Sequence, residues 1–354
     1  MITILAFIFV LGIAILFHEL GHFIIAKMAG IKVFTFSIGF GPKIVGISWR
    51  GTEYKLCLLP FGGYVKMAGE EPQGEVECRD RNPEISQEVP KSQRFDNKPF
   101  LTKSAVVMSG PLMNVVLAIL LLMIVFSFSG IATITNTITE VASGKPAALS
   151  GLQQGDRIIA INSLKIDNAE EISQIIDSNR GNPMSLTILR NNETTEITII
   201  PEYNEEYDRA MIGITLEISV EKLSFFQSFK KSLHTTGEII QLIIKGFLEM
   251  FTGKIPVELA GPLGIAQMAG EAAQFGFINL LFFTSVINIF LGVMNLLPIP
   301  ILDGGQVLLF TIENIRNKPF SPEYIKILYL VGLSLIVMVF LFATYQDILR
   351  IFIR

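Results

Sequence analysis

The sequence predicts a multi-pass α-helical membrane protein. It should have four transmembrane helices, a membrane-associated β-hairpin or small sheet, and one inserted α+β domain. Three observations carry this expectation. Apolar residues are gathered into four long runs, at about 2–26, 104–131, 275–297 and 327–345, and ~20 apolar residues suffice for a helix to cross a bilayer. Between the first two runs the pattern alternates in the manner of strands. Between the second and third lies a compact, mixed segment from Thr133 to about Leu216. Composition alone is not decisive, because half of the 354 residues are hydrophobic and soluble domains come close to that. The clustering decides the class.

The first run ends on Phe17-His18-Glu19-Leu20-Gly21-His22, an H-E-x-x-H motif. On a helix, His18 and His22 lie one turn apart on one face, so both imidazoles can reach one metal ion. Glu19 projects beside them, placed to take a proton from water held at such an ion. Ionisable groups inside a membrane helix are costly and mark functional sites. No basic stretch precedes the run, so it reads as a retained helix rather than a removable signal peptide.

From Ile31 to Met67 the chain alternates and breaks at Gly39-Phe-Gly-Pro42, Arg50-Gly51 and Pro60 with Gly62-Gly63, which predicts three or four short strands. Such a sheet at the membrane face could pair with an extended substrate. Residues 70–98 are polar and aperiodic, and they read as a loop without regular structure. In the second run, Pro111 and Asn114 of Ser109-Gly-Pro-Leu-Met-Asn114 suggest a kink and polar helix packing. The insert should hold a short helix ending near Gly151, a strand after Gly155-Asp156, a second helix over 170–179, and a hairpin turning at Asn191-Asn192. From Phe226 to Phe251, apolar residues recur every three or four positions, predicting an amphipathic helix on the membrane interface or against the insert. The third run flows into Asn295-Leu-Leu-Pro-Ile-Pro-Ile-Leu-Asp303, where two prolines must break the helix. A short loop at 313–323 then leads to the fourth run. The parts are therefore 1–131, 132–217, 218–274 and 275–354.

Charge fixes an expected orientation. Lys27, Lys32, Lys43, Lys91, Arg94, Lys98 and Lys103 fill the first connection, and Arg316 and Lys318 the third. The positive-inside rule puts both in the cytoplasm, with the termini and the insert outside. Asp303 then falls at the same depth as the histidine pair, which favours it over His234 as a third ligand. Two imidazoles and a carboxylate with an open position make the donor set of catalytic zinc. The formal net charge of −4 and a pI near 5.6 argue against a nucleic-acid partner. Two cysteines, Cys57 and Cys78, are too few for a disulfide scaffold or a four-cysteine metal site.

With these residues in view, the chain closely resembles the site-2 protease family of intramembrane zinc metalloproteases, and above all its bacterial regulator-of-sigma-E group. The resemblance rests on the H-E-x-x-H motif, Gly39-Phe-Gly-Pro42, Phe61-Gly-Gly-Tyr-Val-Lys-Met67, Ser109-Gly-Pro-Leu-Met-Asn114 and Asn295 to Gly304. It rests also on the Ser143 to Asn162 stretch of the insert, which is similar to a PDZ domain. The family implies that His18, His22 and Asp303 bind Zn2+ and that Glu19 is the catalytic acid/base. It implies further that Asn295 and the strand around Gly62, Gly63 and Tyr64 handle an unwound substrate. The expected activity is cleavage of transmembrane segments of single-pass membrane proteins, pre-trimmed anti-sigma-factor-type proteins or signal-peptide remnants, in the bacterial cytoplasmic membrane. The active site would lie near the cytoplasmic face and the insert could accept a peptide. The single PDZ-like insert departs from members that carry two. A membrane-anchored PDZ adaptor with an inert metal site is the alternative from another class, and Glu19 argues against it. A transporter with a broken helix lacks any second such break.

Overall fold

The computed structural model describes residues 1–70, 89–166, 169–205, 207–256 and 260–352. The chain forms two compact units: Met1–Phe128 with Ser224–Arg354, and Ser129–Leu223.

The first unit opens with α1 (Ile2–Met28), whose 27 residues reach about 40 Å at 1.5 Å per residue. Two strands follow, β1 (Val33–Trp49) and β2 (Thr52–Met67). The alternating stretch is thus two long irregular strands rather than several short ones. Its breaks at Gly39 and Gly62 are register shifts inside strands, and the near half of β1 is paired on both sides, Phe36 standing opposite both Val65 and Tyr54. The distal half leaves Ile44, Val45, Ile47 and Trp49 exposed, an apolar surface suited to lipid. The stretch read as structureless is corrected where it is described. Lys91–Gln93 forms a 3-10 turn, the Lys32 amide donates to the Gln93 carbonyl, and the Phe95 amide donates to that of Ala68. The remainder of that expectation, 71–88, lies outside the described residues.

Next comes α2 (Phe100–Ser129), which runs through Pro111 as one helix. It meets α1 where Gly21 lies on the Ser109 backbone, leaving no room for a Cβ. Small residues at such crossings let membrane helices approach closely.

In the second unit, β3 (Ile131–Val141), α3 (Pro146–Leu149), β4 (Arg157–Ile161), β5 (Leu164–Lys165), α4 (Ala169–Ser178), β6 (Met184–Arg190) and β7 (Glu193–Ile199) follow in turn. The hairpin β8 (Glu202–Asn204) and β9 (Arg209–Met211) precedes β10 (Ile214–Glu221). The sheet order is β10-β3-β4-β6-β7, with β5 on β4. Ile138, Ile158, Ile161, Ile172, Leu186 and Ile188 form its core, each worth about 1.5–3 kcal/mol when fully buried. Asp156 is 1 % exposed and takes both arms of Arg190, at 2.7 Å each.

Back in the first unit, α5 (Phe225–Phe251) starts at a capping box of Ser224 and Gln227. It is amphipathic, as the spacing of its apolar residues predicts. Ser228, Ser232 and Thr236 are buried, whereas Phe225, Phe226 and Leu233 are exposed. Small polar residues pack inward and aromatics face outward, the arrangement favoured in lipid. The next helix, α6 (Pro262–Gln274), was not foreseen, and it packs Ala269 against Ala6 and Val10 of α1. The helix α7 (Phe277–Asn295) then gives way to the proline turn. After it α8 (Asp303–Arg316) takes a stretch for which the sequence predicted no helix, running four residues into the expected 313–323 loop, and α9 (Pro322–Phe352) is the last element described. The helices α1, α2, α7 and α9 are long and apolar enough to cross a membrane.

Candidate active site

His18, Glu19 and His22 stand in the last three turns of α1, and the i, i+4 spacing does what helix geometry requires. The two Nε2 atoms face each other at 3.2 Å. Asp303, the first residue of α8, reaches both: Oδ2 is 3.3 Å from His18 Nε2 and Oδ1 is 3.7 Å from His22 Nε2. One ligand atom from each of the three lies within 4.8 Å of the others, and among the described residues this is the cluster that could hold a metal ion. Tetrahedral zinc with bonds of about 2.0–2.1 Å needs ligand atoms roughly 3.3 Å apart. The observed spacing and the donor chemistry both fit that ion.

The surroundings orient the ligand atoms. The His22 Nδ1–H donates to the Val106 carbonyl at 2.8 Å, which leaves the Nε2 lone pair free to face the cluster. His18 Nδ1 is buried without a hydrogen-bond partner. Gly110 forms the floor, since a Cβ there would run into the His22 and His18 rings. This gives the Ser109-Gly110-Pro111 stretch a local reason that its sequence did not reveal.

Glu19 is pressed by β2. A Cβ on Gly63 would stand 2.7 Å from Glu19 Cγ, so the strand's backbone runs directly over the candidate base. Gly62 has φ +143° and lies against the Phe40 ring. Tyr64 stacks on Phe40 at 6.3 Å, with the Lys55 ammonium 5.5 Å from its ring centre. Of the three expected strand positions, the structure brings Gly63 to the site directly, while Gly62 and Tyr64 shape the strand around Phe40. Asn295 is the last residue of α7, half-buried, at the start of the turn that leads to Asp303.

One neighbour escaped sequence reasoning. Burial pushes the Glu70 carboxyl up to about 7, the Met67 amide that it accepts opposes this, and the charge of Asp303 adds to it. In the sequence Glu70 opens a polar stretch, and no local pattern signals its place. His234 stays away from the cluster; it is exposed and pairs with Glu238 at 3.3 Å.

Two imidazoles, a carboxylate and an adjacent glutamate are the equipment of a metal-dependent hydrolase, and here the histidines and the glutamate sit on a helix apolar enough for a membrane. The model of peptidase family M50 matches residues 6–339, so the chain belongs to peptidase family M50. It is 30% identical over 428 aligned residues to the zinc metalloprotease RasP of Oceanobacillus iheyensis, covering all of both chains. It is 28% identical to the regulator of sigma-W protease RasP of Bacillus subtilis, covering 99% of each. Among solved structures, the PDZ domain of an SdrC-like protein from Listeria innocua covers 25% of this chain and 99% of its own, at 21% identity and a TM-score of 0.23.

Proposed function

We propose that the chain is a zinc-dependent intramembrane endopeptidase in which His18, His22 and Asp303 hold the ion and Glu19 is the acid/base. The observation that carries this reading is the convergence of three ligand atoms within 4.8 Å, at tetrahedral spacing, beside a glutamate in a membrane helix. When bound, zinc supplies Lewis-acid polarisation of the scissile carbonyl and lowers the pKa of water beside it. Glu19 takes the proton from that water as oxygen attacks the carbonyl carbon. It then delivers the proton to the amide nitrogen as the C–N bond breaks. Val106 keeps the His22 imidazole in one tautomer throughout.

A transmembrane substrate must unwind before a carbonyl is accessible, and pairing with a strand replaces hydrogen bonds lost in the helix. The passage of Gly63 over Glu19 supports the 62–64 segment as the strand that receives it, with Asn295 holding the opened backbone. The class of substrate is a single-pass membrane protein cleaved in regulated proteolysis, which the sigma-W name of the Bacillus relative supports. We read the 129–223 unit as PDZ-like, controlling by bulk or by peptide binding which substrates reach the helices. The lysine and arginine distribution supports a bacterial cytoplasmic-membrane protein with that unit outside and the site near the cytoplasmic face.

The test is incubation of the purified protein with single-pass membrane proteins, with and without chelator, and mapping of the products by mass spectrometry. A cut within the transmembrane segment that chelator abolishes and zinc restores is expected. Cleavage indifferent to chelator would sink the proposal.

A further inference from the structure

The helix α9 offers no ligand to the metal cluster, yet it bears on the turn that presents Asp303. Residues 296–305 fold closely on their own backbone. Gly304 lies against the Leu296 and Leu297 carbonyls, Gly305 against the Ile299 carbonyl, and Gly332 of α9 against the Pro300 carbonyl. A side chain at any of the three would overlap backbone atoms. Within the turn the Leu302 amide donates to the Ile299 carbonyl at 3.0 Å, which makes Pro300 and Ile301 the two central residues.

Proline suits the first of these positions, but a positive φ at the second calls for glycine or asparagine. Ile301 has φ +87°. The other non-glycine residues with positive φ among those described are Arg, Asn, Ser and Asp, so this is the β-branched exception, and such a backbone is strained. Strain of this kind persists only where the surroundings over-determine it. The turn's own glycines supply one side of that constraint, and α9 seated at Gly332 supplies another.

We propose that Gly332 is a positioning residue of the metal centre: α9, closely seated on Pro300, holds residues 299–302 in their strained turn and so holds Asp303 against His18 and His22. This rests on the reading of Asp303 as third ligand. A membrane helix without ligands thereby sets the geometry of the site, through one glycine.

The test uses full-length protein in nanodiscs, stripped of metal. Zinc affinity is read by competition with a chromophoric chelator, coordination by the visible spectrum of the cobalt form, and stability by thermal unfolding of the apo protein. Gly332→Ala should weaken zinc about tenfold or more, the scale seen when residues that orient ligands are lost, and should distort the cobalt spectrum. Apo stability should fall as well, since the added methyl overlaps the Pro300 carbonyl, so the cobalt spectrum is the readout that separates a displaced ligand from a general loss of packing. Ile301→Gly should keep zinc affinity and the cobalt spectrum, because glycine takes φ +87° without strain. The double variant should recover part of the affinity lost in Gly332→Ala, as an unstrained turn can yield to the added methyl. Parental affinity in Gly332→Ala overturns the brace; should Gly332→Ala not fold, the double variant decides, since parental affinity there, with the methyl still present, overturns it equally. Asp303→Ala separates the two levels. If it loses zinc while Gly332→Ala does not, the brace fails alone; if it keeps zinc, the ligand set fails and the brace with it.

Discussion

Replacing Gly63 by alanine is expected to slow cleavage about a hundredfold without loss of zinc. Gly63 is not among the residues with positive φ, so its backbone accepts a side chain and the obstacle is space. The new methyl would stand 2.7 Å from Glu19 Cγ, 2.8 Å from the Ser37 carbonyl oxygen and 3.1 Å from Ile15 Cγ2. Carbon atoms pack at about 3.5–4.0 Å, so something must retreat by about 1 Å. The strand cannot move toward β1, because Ser37 and Tyr64 are paired there, and the Glu19 side chain yields instead. Misplacing a catalytic group by about 1 Å costs about a hundredfold, or ~2.7 kcal/mol of activation free energy. The metal cluster is untouched by the new atom. Single-turnover cleavage of a transmembrane substrate gives the rate, and elemental analysis of the same sample gives the zinc content. Gly12→Ala is the control, since a Cβ at Gly12 has nothing within 4 Å. A parental rate in Gly63→Ala, or a slow rate explained by missing zinc, would refute the contact between strand and base.

Gly110→Ala should behave in the opposite way and strip the metal, because its methyl would enter the space of the histidine rings; elemental analysis of purified protein checks it. In the inserted unit, Arg190→Met leaves the Asp156 carboxylate only the Gln153 amide as a donor, and the insert should be destabilised, read as faster hydrogen exchange across β4 and β6. The same pair predicts an acid limit. Burial would raise the Asp156 carboxyl, but the Arg190 guanidinium outweighs it and holds the group below its usual range. The stabilisation is therefore present above about pH 4 and is lost as pH falls through the lowered value, which acid titration of insert unfolding measures.

Much of the candidate site was legible in the sequence because its geometry is local. His18, Glu19 and His22 need only helical spacing to share a face, and Asp303 announces itself by following two prolines at matching depth. What remained hidden depends on contacts between distant segments. The role of Gly110 exists only because α1 crosses α2 at Gly21, and that of Gly63 only because β2 passes over Glu19. The 89–98 stretch looked structureless since its backbone partners, Lys32 and Ala68, lie far back in the chain.

The most direct test of the central claim is cleavage by Glu19→Gln measured on protein whose zinc content has been determined. The amide cannot accept the proton, while His18, His22 and Asp303 remain to hold the ion. Full zinc occupancy with cleavage abolished is the predicted result. Full occupancy with turnover near the parental rate would contradict the assignment of Glu19 as the base, and with it the mechanism.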